Sequence, residues 1–291
     1  MALGIPNLVE LIGAVPAEDQ GGILGQLATP EFSGKLLCMG RSDVSLAKQL
    51  LPLARAFSQA PVSGFNVGAV AMGATGQFYL GANMEFVGVP LSASLHAEQS
   101  AILNAWMHGE TRLTDLVVSE APCGHCRQFL WELPLAKQLA IHFKGEVTDL
   151  PTLLPLAFGD ARGEGAGLLD LPALQLEPIR RAEGVLVERA MNAARHSYAP
   201  YTDAPEGFAL ECINGAVFAG RTAESVAYNP TVPAIVSALN QRNLSTSRHD
   251  AISACVHAKL VTSLASQGDF SKSVLRRLSH VPIETVLLES V

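Results

Sequence analysis

Positive charge is scarce in this 291-residue chain and nowhere concentrated. Lys and Arg number 20 against 27 Asp and Glu, giving a net charge of −7, and no basic cluster exceeds a pair such as Arg180-Arg181 or Arg276-Arg277. A polynucleotide groove needs a basic track for phosphates, so a nucleic-acid partner is disfavoured and a small neutral substrate is favoured. No apolar run reaches the roughly 18 residues of a membrane span. The opening Met1-Ala2-Leu3-Gly4-Ile5-Pro6 has no basic stretch and soon meets Glu10, which argues against a secretion signal and for the cytoplasm. Cysteine is sparse too. Of the five, Cys38, Cys212 and Cys255 stand singly and read as small core residues. No second cysteine pair exists to complete a four-thiolate structural site.

What is present is apolar: hydrophobic residues make up 48% of the chain and charged residues 16%. A chain of this length forms two modest domains or one large one and buries roughly three quarters of its unfolded surface.

The chemistry is concentrated in two short stretches, His96-Ala97-Glu98 and Pro122-Cys123-Gly124-His125-Cys126. His96, Cys123 and Cys126 offer three zinc ligands. Structural zinc sites fill four positions with protein, whereas catalytic ones leave the fourth to water. Glu98, two residues past a ligand, is placed to act as general base on that water. H-x-E…P-C-x-x-C is the signature of zinc nucleobase deaminases. The alternatives are a redox pair or half of a structural zinc site. His125 reads as a neighbour of the metal and not a ligand, and His108, His142, His196, His249, His257 and His280 show no ligand spacing.

Magnitudes decide why both groups are needed. A carboxylate of pKa about 4.3 facing water at 15.7 works uphill by about 11 units, or roughly 15 kcal/mol. A zinc-bound water near 7 leaves about 3 units, roughly 4 kcal/mol.

The chain also repeats itself. Ser58-Gln59-Ala60-Pro61-Val62-Ser63 matches Ser197-Tyr198-Ala199-Pro200-Tyr201-Thr202 at an offset of 139, which also aligns Gly68 with Gly207, Gly81 with Gly220 and Glu85 with Glu224. After a three-residue deletion, Ala101-Ile102-Leu103-Asn104 meets Ser237-Ala238-Leu239-Asn240. This register sets Val232 against His96 and Ala234 against Glu98, while matching Leu133 with Leu278 sets Gly268 and Ser271 against Cys123 and Cys126. The second copy is expected to bind no zinc.

Periodicity within the first copy predicts helix, strand, strand, helix, strand, helix, strand. The predicted elements are a helix over 46–58, strands over 67–71 and 78–84, a helix capped by Ser94 that carries His96 and Glu98, a strand at 116–118, a helix opened by Cys123, and a last strand at 139–141. Trp106, Leu130 and Trp131 read as core. The expected division is a helical segment over 1–45, a catalytic core over 46–144, a Leu-, Pro- and Gly-rich linker over 145–184 and a degenerate core over 185–291.

With these residues in hand, the chain resembles the cytidine deaminases, specifically the homodimeric bacterial type with one catalytic and one degenerate core per subunit. Phe65-Asn66-Val67-Gly68-Ala69, Asn83-Met84-Glu85, Pro122 to Gln128 and Leu154-Pro155-Leu156-Ala157-Phe158-Gly159 carry the likeness. It implies that Asn83 and Glu85 hold the ribose hydroxyls, Phe65 packs on the pyrimidine, backbone at Ala97 contacts the base carbonyl, and Phe158 reaches the site of the partner subunit. It also implies a duplicated three-layer α/β/α sandwich with a mixed sheet, one zinc per subunit, and active sites at the interface of a homodimer. Two departures stand out: Val62 replaces a tyrosine that the second copy keeps as Tyr201, and Asp160 stands where the family often has proline.

The expected activity is hydrolytic deamination of cytidine and 2′-deoxycytidine in pyrimidine salvage, releasing ammonia, with zinc hydroxide attacking C4 and Glu98 shuttling the proton. A deaminase of modified nucleosides or of polynucleotide cytosine is a second reading, and a non-catalytic zinc-stabilised binding protein a third. Asn83, Glu85, the acidic balance and Glu98 weigh against them.

Overall fold

The computed structural model describes residues 3–37, 43–159, 166–263 and 265–291. Cys38, Asp160, Gly163 and Gly165 therefore lie outside the described residues.

Two short helices open the chain, α1 (Leu8–Leu11) and α2 (Ala17–Leu27), followed by a two-residue strand, β1 (Lys35–Leu36). The helix predicted over 46–58 is divided into α3 (Val44–Gln49) and α4 (Leu51–Arg55). Pro52, in the first turn of α4, has no N–H to continue the ladder of α3. Then come β2 (Gly68–Gly73), β3 (Phe78–Ala82), α5 (Ala97–Met107), β4 (Leu113–Val118), α6 (Gly124–Leu130) and β5 (Ala140–Phe143). The predicted order holds as far as β5, but β5 is not last: β6 (Glu146–Thr148) turns back against it, and α7 (Leu150–Leu153) follows.

The second half contains β7 (Leu176–Pro178), α8 (Val185–Arg195), β8 (Glu206–Cys212), β9 (Val217–Arg221), α9 (Ala234–Asn243), β10 (Ile252–Leu260), α10 (Gly268–Leu275) and β11 (Ile283–Ser290). Among the described residues the first sheet runs β1-β3-β2-β4-β5-β6 and the second β7-β11-β10-β8-β9. Each is mixed, with one parallel pair (β4 with β5, β10 with β11) in an otherwise antiparallel order. The segment between the halves supplies an edge strand to each sheet, from β6 on one side and β7 on the other.

Successive side chains in a strand face opposite ways, and both faces of each sheet are covered. From β2, Val70 and Met72 pack with α1 to α4, while Ala69 and Ala71 turn toward α5 and α6. From β8, Ala209 turns to α8, while Phe208 and Leu210 turn to α9 and α10. Each half is thus a three-layer α/β/α sandwich, and the inner helix layers merge into one apolar core. Trp106, Leu130, Trp131, Cys212 and Cys255 are all buried, as their reading as core required. At the contact of α5 with α9, Ser100 Oγ donates to Asn240 Oδ1 at 2.6 Å, and Asn240 Nδ2 donates back to the Ser100 carbonyl at 3.1 Å.

Glycine fixes the repeat sterically. A Cβ at Gly81 would lie 2.3 Å from Ala101 N and 2.4 Å from Ala97 O, and one at Gly220 would lie 2.1 Å from Ala238 N and 2.3 Å from Ala234 O. Only glycine lets helix and strand approach so closely. These contacts also correct the register. Ala97 corresponds to Ala234 and Ala101 to Ala238, an offset of 137, so two residues are deleted and not three. The N-caps agree: His96 precedes α5, and Pro233 precedes α9. Pro233, not Val232, therefore stands at the place of His96, and Ile235, not Ala234, at that of Glu98. At the next helix, Gln267 caps α10 as Cys123 caps α6, so Gln267 and Phe270 replace Gly268 and Ser271 as counterparts of the cysteines. Helix α10 is one residue longer than α6, which restores the Leu133 to Leu278 match beyond it.

Candidate zinc centre and substrate cavity

His96 and Cys123 are both N-cap residues in extended backbone, His96 with φ −88° and ψ 157°, Cys123 with φ −72° and ψ 167°. Ser94, expected as the cap, instead closes a single 3-10 turn over Leu91–Ala93. The cap shift has a local cause. Leu95 is tied to Met84 by reciprocal backbone hydrogen bonds of 2.8 Å, which keep the chain extended until His96.

Two helix starts thereby face one another. His96 Nδ1 lies 3.4 Å from Cys123 Sγ and 3.3 Å from Cys126 Sγ, and the sulfurs are 3.7 Å apart. With Zn–S near 2.3 Å and Zn–N near 2.0–2.1 Å, the edges of a tetrahedron come to about 3.8 Å between sulfurs and about 3.6 Å from nitrogen to sulfur. The observed separations fit zinc. Among the described residues, this is the one His, Cys and carboxylate group whose donor atoms converge closely enough for a metal. The hydrogen bond between the sulfurs, with help from His96 and against burial, brings the Cys123 thiol down to about 3. Burial pushes Cys126 well above the ordinary thiol range. His125 stacks on His96 with ring centroids 5.2 Å apart, beside the donors and outside the set.

Glu98, in the first turn of α5, is 5% exposed, and burial raises its carboxyl above the usual range. It lines a cavity of about 390 Å³ together with Phe65, Asn83, Glu85, His96, Ala97 and Cys123. Phe65, a residue that periodicity alone would assign to core, is 55% exposed at this cavity. Asn83 is fixed from several sides: its Oδ1 accepts from Ser58 Oγ and from Val67 N at 2.8 Å, and its Nδ2 donates to Phe65 O at 2.8 Å.

Glu85 braces a neighbouring turn, which its sequence neighbours do not reveal. Its Oε2 accepts from the N–H groups of Val62 and Ser63, each at 2.9 Å, and its Oε1 from Ser63 Oγ at 2.6 Å. Burial opposes the charge, but the Ser63 and Val62 hydrogen bonds outweigh it and hold the carboxyl below the usual range. Glu224 grips Tyr201 N and Thr202 Oγ1 in the same way. Phe158 lies apart, 65% exposed, its backbone paired both ways with the Gln128 side chain at 3.0 Å.

Hydrogen bonds occupy the corresponding place in the second half. Gln267 Oε1 accepts from Ala234 N at 3.0 Å, Gln267 N donates to Glu206 Oε1 at 3.0 Å, and Glu206 Oε2 lies 2.7 Å from His257 Nε2. His257, given no role from sequence, is thus a buried member of this network, and His142 is likewise paired with Asp115 at 2.8 Å.

Family models described as the cytidine and deoxycytidylate deaminase zinc-binding region match residues 41–141 and 152–269. The chain is 40% identical over 253 residues to the cytidine deaminases of Yersinia pseudotuberculosis serotype IB (strain PB1/+) and Yersinia pestis (strain Pestoides F), covering 85% of this chain and 84% of each relative. A crystal structure of cytidine deaminase from Mycobacterium tuberculosis is 31% identical, with a TM-score of 0.38, covering 40% of this chain and 98% of that one. Matched by these models along both halves, and at this identity over most of its length, the chain belongs to the zinc-binding cytidine and deoxycytidylate deaminase family.

Proposed function

We propose that the protein hydrolyses cytidine and 2′-deoxycytidine to uridine and 2′-deoxyuridine with release of ammonia, as a cytoplasmic enzyme of pyrimidine salvage. One observation carries the reading: a single cavity holds both the zinc donors with Glu98 and the polar pair Asn83 and Glu85. The second group suits ribose hydroxyls, so the reading is of a nucleoside and not a free base.

His96, Cys123 and Cys126 hold the zinc, which when bound supplies a water of pKa near 7. Glu98 carries one proton of that water to the ring nitrogen and then the other to the departing amine, which leaves as ammonia. Its burial raises its proton affinity above that of an ordinary carboxylate, which suits a group that must both accept and donate. Phe65 covers the pyrimidine face, Ala97 N meets the base carbonyl, and Asn83 and Glu85 orient the sugar. The division into a helical segment over 1–45, a catalytic core over 46–144, a linker over 145–184 and a zinc-free core over 185–291 accompanies this reading. So does a homodimer in which Phe158 completes the neighbouring site, a role that its exposed side chain on a clamped backbone supports.

An ultraviolet assay tests the proposal. Cytidine is expected to turn over, cytosine and single-stranded DNA to be poor substrates, and a chelator to abolish the reaction. Turnover of DNA or of the free base at the cytidine rate would overturn it.

A further inference from the structure

Beyond the zinc centre, Glu132 is a buried acid bonded across the two halves, 1% exposed and two residues past the end of α6. Its Oε2 accepts from Tyr198 Oη at 2.7 Å and Tyr201 Oη at 2.5 Å, and its Oε1 accepts from Val226 N at 2.8 Å. Its carbonyl accepts from Leu168 N at 2.7 Å. All three side-chain donors belong to the second half, on the segments that repeat 59–62 and 87. In the first half, Ser63 and Glu85, next to the equivalent positions, line the cavity that holds the zinc donors. The degenerate copy has turned its counterparts into a socket for a carboxylate from the catalytic copy.

The socket bears on Phe158. Gln128, on α6 and four residues before Glu132, holds the Phe158 backbone through both of its amide atoms. Gly159, at φ +83°, packs so tightly on Val226 that a Cβ there would lie 2.9 Å from both Val226 methyls. The N–H of that same Val226 is held by Glu132. The arm carrying Phe158 is thus pinned from two sides, by α6 and by a loop that Glu132 fixes.

We propose that Glu132 is a positioning residue that sets the Phe158 arm for substrate binding, and that Tyr201 is kept in the second half to serve it. The inference rests on the assignment of Phe158 to a substrate site. Burial, and then the hydrogen bond to Glu132, pushes the Tyr201 phenol well above its ordinary range, so it stays a donor. Val62, at the matching place in the first half, is 53% exposed and has no hydroxyl to offer.

A double-mutant cycle on the full-length zinc enzyme tests this, using Glu132→Gln and the milder Tyr201→Phe, each with and without Phe158→Ala. In the presence of Phe158, both are expected to raise KM for cytidine by roughly three- to tenfold, the effect of losing about one well-formed hydrogen bond, with kcat and zinc content held. In the Phe158→Ala background, they should add little. Equal KM effects in both backgrounds, loss of zinc, or an unchanged KM for both variants would overturn the role of Glu132. An unchanged KM for Phe158→Ala alone would overturn the assignment of Phe158 itself, and this inference with it.

Discussion

His96 Nδ1 and Cys126 Sγ are 3.3 Å apart although thirty residues of chain separate them. The meeting depends on two helix N-termini aimed at each other across the end of the first sheet. Helix starts carry unpaired N–H groups and a partial positive charge, which favour thiolate.

The division of labour between metal and carboxylate is open to direct test. Glu98→Gln keeps the volume and the three ligands, so zinc stays at one per chain while turnover falls by roughly 10²- to 10⁴-fold, the usual contribution of a general acid-base group. Metal analysis beside a cytidine assay checks it. Full activity in the zinc-loaded variant would remove Glu98 from the reaction.

The two cysteines should differ in reactivity once zinc is stripped. Cys123 is exposed, and its thiol is held down to about 3, so it is thiolate across the neutral range, whereas Cys126 is buried and held protonated. Iodoacetamide followed by peptide mass spectrometry is expected to label Cys123 first, and zinc is expected to protect it. Preferential labelling of Cys126 would contradict the geometry of the pair.

Substituting either of two glycines separates damage to the fold from damage to the site. Gly81→Ala and Gly220→Ala each drive a methyl into helix backbone and should destabilise by about 1–3 kcal/mol or more. Only Gly81→Ala displaces α5, which follows His96 and carries Glu98, so only it is expected to lose zinc and kcat along with thermal stability. Calorimetry with zinc titration distinguishes the two.

Removing the hydrogen bonds that stand in for zinc in the second half should cost stability alone. Gln267→Ala removes the Oε1 that accepts from Ala234 N and leaves that N–H short of a partner, while the backbone N–H to Glu206 stays, for about 1–3 kcal/mol. A lower urea midpoint with unchanged zinc and KM is the expected outcome, and a lost metal would show that the two halves are coupled at their centres.

The zinc donors could be read directly because ligand spacing within a turn or two of helix is a local property, and the repeat could be read because glycines forced by close packing do not drift. Besides the cap at Ser94 and the break in the 46–58 helix, three things escaped. The two-residue deletion and the extra residue in α10 shifted the register, since neither leaves a local mark. The edge strands β1, β6 and β7 are only two or three residues long, and β1 and β7 also pair with distant partners. Glu132 gave no signal, because the hydroxyls that make it distinctive arrive from 66 and 69 residues away. The bracing role of Glu85 was legible in principle, as Glu224 repeats it where no zinc donors stand.

The shared apolar core has a consequence for how sequence change is tolerated. Helices α5 and α9 lean on one another through Ser100 and Asn240, so the inert copy forms the wall against which the reactive helix rests. Drift in that copy is easiest on the solvent face of α8, whose inner face is packed on the sheet, and confined on the side that meets α5. With no metal-ligand cluster among its described residues, the second copy remains bound by the geometry of the first.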